Sequence, residues 1–215
     1  MIKAGLFDLD GVVFDTESQY DVFWKEQCEL YHPEIKDMYK KIKGKTLVQI
    51  YDEHFADAKD EQSKITERLN AFEKNMKFEY IDGLVDFVNS LKRNGVKCAV
   101  VTSSNRAKMK SVYDAHPEFL GLFHRVLTSE NFEKSKPDPD CYLKGAAIFG
   151  VQPEECVGFE DSFNGLKAVR AAGEFTMGLA TTNSEESIKD YCDYIIKDYK
   201  GLDYTKLCEI VASSH

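Results

Sequence analysis

From Ile81 onward, short apolar runs alternate with amphipathic stretches of helical period, and this alternation leaves few folds open. Runs at 96–101, 125–127, 156–159, 175–179 and 194–196 have the length and apolar composition of buried strands. Stretches near 106–114, 139–149, 162–172 and 202–211 read as helices. In another, Leu84, Val85, Phe87, Val88 and Leu91 share one helical face before Asn94-Gly95 ends it. Strands alternating with helices imply βαβ units, hence an α/β fold with a doubly wound, Rossmann-like parallel sheet. In such sheets ligands bind beyond the carboxyl ends of the strands. The polar residues at those ends are the place to look for function.

Ile2, Ala4, Leu6 and Phe7 supply a further buried strand, and Asp8 and Asp10 follow as it ends. Two neighbouring carboxylates are costly to bury, and a divalent cation with oxygen ligands removes that cost. Gly11 then permits a sharp turn. The run at 96–101 ends in Thr102-Ser103-Ser104-Asn105, which can cap a helix or hold an anion at its N-terminus. After 125–127 comes Lys134-Ser135-Lys136-Pro137-Asp138-Pro139, where the proline holds Lys136 in an extended or turn conformation. The run at 156–159 ends in Glu160-Asp161, a second acidic pair, followed by Ser162, Asn164 and Gly165. Singly, these are a solvated turn, a helix cap, a loop lysine and an acidic helix start. Jointly, at one sheet edge, they describe a site for a cation and an anionic ligand.

Between about Thr16 and Tyr80 the period is helical throughout. Val22, Phe23, Trp24, Cys28 and Leu30 open it, and helices are expected near 37–42, 47–55 and 62–76. The expected organisation is a core of 1–15 and 81–215 with an inserted all-helical cap domain, 16–80. Lys43-Gly44-Lys45-Thr46 interrupts the pattern as a cationic corner, read first as a solvated turn and second as a lid approaching an anion. A formal net charge of −9 argues against a nucleic-acid partner. No apolar run is long enough to span a membrane, and Asp8 comes too early for a leader segment, so a cytoplasmic protein is expected. The six cysteines are scattered without metal-binding spacing, and Cys98 and Cys156, in strand-like apolar runs, read as core residues. A monomer is the default expectation.

The segments Asp8-Leu9-Asp10-Gly11-Val12-Val13-Phe14-Asp15-Thr16, Val100-Val101-Thr102-Ser103-Ser104, Lys136-Pro137-Asp138-Pro139 and Gly158-Phe159-Glu160-Asp161-Ser162-Phe163-Asn164-Gly165 resemble the four motifs of the haloacid-dehalogenase-like phosphohydrolases. The chain is most similar to the branch with a small helical cap, which includes β-phosphoglucomutase and many sugar-phosphate phosphatases. That resemblance implies Asp8 as nucleophile and Asp10 as general acid and base, with Thr102 and Lys136 completing the catalytic set. It implies Mg²⁺ held by Asp8, the Asp10 carbonyl and Asp161, with Glu160 ligating or orienting. The phosphate would lie against Leu9, Asp10, Thr102, Ser103, Ser104 and Lys136. Asp15 and Thr16 would form a hinge, while Thr16, Lys43, Gly44, Lys45 and Asn105 would face the substrate.

Two departures weigh against the mutase. Leu47 falls where its cap loop carries an arginine, and Tyr20 where its first cap helix carries a histidine. Leucine cannot pair with a second phosphate, and Lys45 offers only a point charge. The expectation is a Mg²⁺-dependent phosphatase for a small phosphorylated metabolite, a sugar or polyol phosphate. A β-phosphoglucomutase-type transfer is the alternative, and a non-catalytic phospho-ligand binder is a third reading. The five histidines receive no catalytic role.

Overall fold

The computed structural model describes residues 1–42, 45–56 and 58–214. Six strands form one parallel sheet in the order β3-β2-β1-β4-β5-β6. They are β1 (Ala4–Phe7), β2 (Lys97–Val101), β3 (Arg125–Leu127), β4 (Cys156–Glu160), β5 (Phe175–Leu179) and β6 (Tyr194–Ile196). The helices are α1 (Glu17–Tyr31), α2 (Leu47–His54), α3 (Lys59–Glu73), α4 (Leu84–Arg93), α5 (Arg106–Ala115), α6 (Phe119–Leu122), α7 (Asp140–Ala147), α8 (Phe163–Ala172), α9 (Glu185–Ile188) and α10 (Tyr204–Ser213).

Although the strands are buried on both faces, their side chains still alternate. Phe7, Cys98, Val100, Val157 and Phe159 share a core with apolar residues of α4, α5 and α10. Ala4, Leu6, Ala99, Val101 and Cys156 pack with α7 and α8 on the other face. The chain winds outward through β2 and β3 and then resumes on the far side of β1 at β4. The switch point of the winding therefore lies between β1 and β4, whose carboxyl ends carry Asp8 and Glu160-Asp161.

The helical segment between β1 and α4 has its own core of Phe23, Trp24, Met38, Ile42, Ile50, Phe55, Ile65 and Leu69. Its two connections are stitched together: the Asp15 N–H donates to the Glu79 carbonyl at 2.9 Å and the Ile81 N–H to the Val13 carbonyl at 3.0 Å. Phe14 and Tyr80 form an antiparallel bridge. Several boundaries differ from the sequence expectation, most of them by one or two residues. Residues 37–42 hold only a four-residue 3₁₀ turn, Met38–Lys41, with Asp37 in a left-handed conformation. The third helix starts at Lys59 and ends at Glu73, releasing Met76 and Phe78 to the main core. Helices α6 and α9 were too short for periodicity to register. Among the described residues, no helix is long and apolar enough to cross a membrane.

Candidate active site

The carboxyl ends of β1, β2 and β4 meet beneath the helical segment around a cavity of about 500 Å³. The core contributes Asp8, Asp10, Thr102, Ser103, Lys136 and Asp161 to its lining, and the helical segment contributes Tyr20, Trp24, Lys45 and Leu47. Asp8 is fixed by its backbone, whose N–H donates to the Phe159 carbonyl of β4 at 3.0 Å. Lys136, 4% exposed, donates from Nζ to Asp8 Oδ1 at 2.8 Å, Glu160 Oε1 at 2.5 Å and the Val101 carbonyl at 3.2 Å. This accounts for three ammonium protons, so the lysine is held rather than mobile. Glu160 also accepts from the Tyr142 hydroxyl at 2.7 Å and from Ser162 Oγ at 3.3 Å.

Asp8, Glu160 and Asp161 each place a carboxylate oxygen within 4.8 Å of the others, the one such acidic group among the described residues. Burial, opposed by Lys136 and reinforced by Glu160, pushes the Asp8 carboxyl up to about 7. Burial, with Glu17, Glu160 and Asp8 nearby, raises Asp161 well above the usual carboxylate range. Lys136 alone leaves the three acids with excess negative charge, and these hard oxygen donors suit a Mg²⁺ ion. Burial would lower the Lys136 ammonium, but Asp8 and Glu160 hold it above its ordinary value.

Two glycines give these carboxylates their space. Gly11 has φ 72°, and a Cβ there would lie 2.1 Å from Asp161 Oδ2. A Cβ on Gly165 in α8 would come within 1.9 Å of the Glu160 carboxyl carbon. Gly165→Ala is therefore expected to displace Glu160 and lower the thermal midpoint by an overpacking cost of about 1–3 kcal/mol. An unshifted midpoint in calorimetry would refute this steric account.

The residues singled out in the sequence fall into distinct environments. Asp10 accepts from the Thr16 hydroxyl at Oδ1 (2.5 Å), from Ser104 Oγ at Oδ2 (3.1 Å) and from Lys108 Nζ at Oδ2. Thr16 is fully buried against Asp10 and does not line the cavity, which corrects its assignment to the substrate surface. Ser104 is half-buried and lines the cavity, its N–H donating to Thr102 Oγ1 at 3.0 Å and its hydroxyl to Asp10 Oδ2 at 3.1 Å. Leu9 is fully buried in the core, so only its backbone can meet a ligand. Asn105 lines the cavity and caps α5 by accepting from the Lys108 N–H at 2.9 Å. Lys45 lines the cavity with its ammonium paired to Glu53. Lys43 and Gly44 lie outside the described residues.

Sequence reasoning missed several groups. Thr181, Thr182 and Asn183 follow β5: Thr182 Oγ1 donates to Asp161 Oδ2, Asn183 to the Asp161 carbonyl at 2.9 Å, and Thr181 to the Gly11 carbonyl at 2.5 Å. The strand-end rule applied to 175–179 would have found them. Tyr142 and Lys108 lie inside helices, beyond that rule's reach. Gln49, N3 of the capping box that starts α2, donates to the Lys136 carbonyl at 3.1 Å and ties the helical segment to the core.

A family model described as haloacid dehalogenase-like hydrolase matches residues 2–173. Hexitol phosphatase A of Escherichia coli (strain K12) is 30% identical over 179 residues, covering 80% of each chain. Beta-phosphoglucomutase of Bacillus subtilis (strain 168) is 29% identical over 197 residues, covering 83% of each. Among solved structures, a HAD hydrolase of family IA, variant 3, from Entamoeba histolytica superposes with a TM-score of 0.84 at 21% identity, over 98% of this chain and 100% of that one. The chain belongs to the haloacid dehalogenase-like hydrolases.

Proposed function

We propose that this hydrolase is a Mg²⁺-dependent phosphatase that cleaves a small phosphorylated metabolite, a sugar or polyol monophosphate, through an aspartyl-phosphate on Asp8. The observation that carries the reading is the pairing of Asp8, oriented by Lys136 beside Asp161, with Asp10 held two residues away at the same cavity. The hexitol phosphatase relative supports the polyol or sugar class. Residues 16–80 are taken as the cap that covers the substrate.

In the first half-reaction an Asp8 carboxylate oxygen bonds to phosphorus as the ester P–O bond breaks. The Asp10 carboxyl delivers its proton to the departing alcohol oxygen. In the second, Asp10 takes a proton from water as that water's oxygen attacks phosphorus, releasing inorganic phosphate and restoring Asp8. Lys136, Thr102 and Ser103 present positive charge and donors to the phosphoryl oxygens as charge builds on them. Asp8, Glu160, Asp161 and the Asp10 carbonyl would hold Mg²⁺, which when bound offsets the repulsion between carboxylate and phosphate. Leu47 and Trp24 in the cap wall give the organic part an apolar surface.

The test is phosphate release across sugar, polyol and nucleoside monophosphates, with Mg²⁺ and with chelator. Release from one compound or a narrow group, lost on chelation, is the expected result. Metal-independent release or none across the panel would sink the reading. The Bacillus relative keeps a second reading in view, phosphoryl transfer between sugar hydroxyls. Its signature is glucose 6-phosphate formed from β-glucose 1-phosphate and a bisphosphate primer, with little free phosphate.

A further inference from the structure

Lys108 is a buried cation without a place in the four motifs. It lies in the first turn of α5, the positive end of the helix dipole, where a cation is disfavoured. Its side chain is 2% exposed, so it also bears a desolvation cost. Two groups offset these penalties: the Asp10 carboxylate paired to Nζ and the ring of Tyr20, whose centroid is 4.6 Å from Nζ. Tyr20 is on α1 of the helical segment, and its hydroxyl donates to Glu73 Oε1 of α3 at 2.8 Å. Burial raises the Glu73 carboxyl, and Lys108 and Tyr20 oppose that rise.

We propose that Lys108 is a positioning residue, which fixes the Asp10 carboxyl for proton delivery to the leaving oxygen and is itself held in place by Tyr20 and Glu73 of the cap. Two observations carry this. Thr16 and Ser104 grip Asp10 through hydroxyls that rotate and can also accept, whereas an ammonium only donates. Lys108 is thus the charged member of the trio, and its backbone is anchored by the Asn105 cap. Secondly, the contacts run without a break from Glu73 through Tyr20 and Lys108 to Asp10. Two of these four residues belong to the cap, so lifting the cap removes the cover from Lys108 and loosens its hold. Proton delivery is then best aligned when the cap is seated.

This inference rests on the phosphatase reading, and leaving-group dependence separates the two. Para-nitrophenyl phosphate expels a phenolate that needs little proton assistance, whereas β-glycerol phosphate expels an alkoxide that needs it. Both are assayed as kcat/KM, which reports P–O cleavage, with wild type, Lys108→Met, Lys108→Arg, Tyr20→Phe and Glu73→Gln. In Lys108→Met the alkyl ester should lose about tenfold or more beyond the loss on the aryl ester, a share of the roughly 10²–10⁴-fold that a placed general acid contributes. Lys108→Arg should recover part of that difference, and the two cap variants should show a smaller difference of the same sign. Folding of each variant is checked by its melting transition. If Lys108→Met does not fold, the ratio is read from Lys108→Arg and the cap variants. Equal losses on both esters in the folded variants would overturn the proposal while leaving the phosphatase intact. A wild type inert on both esters would overturn the phosphatase reading and the proposal with it.

Discussion

Asp8→Asn is expected to lower phosphate release by about four orders of magnitude or more, since the nucleophile disappears while binding groups and acid remain. The same variant should fold at least as well as wild type. Burial holds the Asp8 carboxyl up to about 7, so the fold disfavours its charged form, and a neutral amide of the same shape relieves that conflict. The sign follows from linkage. A carboxyl whose folded value lies above its unfolded value near 3.8 adds stability at low pH and loses it as pH rises through about 7. With chelator present, the melting advantage of Asp8→Asn over wild type should therefore widen from pH 4 to pH 8. Retained turnover would dismiss Asp8 as nucleophile. A melting advantage that shrinks with pH would contradict the electrostatic account instead.

Lys136→Met should have the largest effect on stability. The Lys136 ammonium lies between Asp8 and Glu160, and the Glu160 side chain is fully buried. Removing it strands two carboxylates, and breaking a buried pair from one side costs about 3–5 kcal/mol. For a chain of this size that corresponds to a fall of about 10 °C in thermal midpoint. The double variant Asp8→Asn/Lys136→Met should recover part of the loss, because one stranded charge is then gone. Scanning calorimetry of the four proteins gives the coupling directly. A Lys136→Met protein that melts with wild type would mean that the ammonium is not what balances these acids.

The core of this site was legible because a parallel sheet announces itself by alternation and sends its functional groups to strand ends. Asp8, Glu160 and Asp161 each follow an apolar run directly, so position relative to a strand identified them, whereas Lys136 lies well past Leu127 and stood out by the proline that follows it. Lys108 was not legible on that basis. It sits inside a helix, and its meaning depends on Asp10, 98 positions away in sequence. Tyr20 was noticed only as a missing histidine, whereas it binds Glu73 of the third helix, 53 positions on. Such contacts depend on how the helical segment lies over the core, which no local period encodes. The same holds for residues 37–42, where Met38 and Ile42 carry a helical spacing over too few residues to sustain a helix.

The paired connections at Phe14–Tyr80 have an evolutionary consequence. Because both ends of the insertion enter and leave through one short ladder, the core experiences them as a single closed loop. The entropy of closing a loop grows only slowly with its length, so the core tolerates large changes in what hangs there. A helical module of different size, spliced in with Thr16, Tyr20, Phe72, Met76 and Phe78 retained for their contacts with the main core, should leave the sheet's melting behaviour nearly intact. The helical segment can thus change in size while the sheet that carries Asp8 and Glu160 stays the same, the two being joined at one seam.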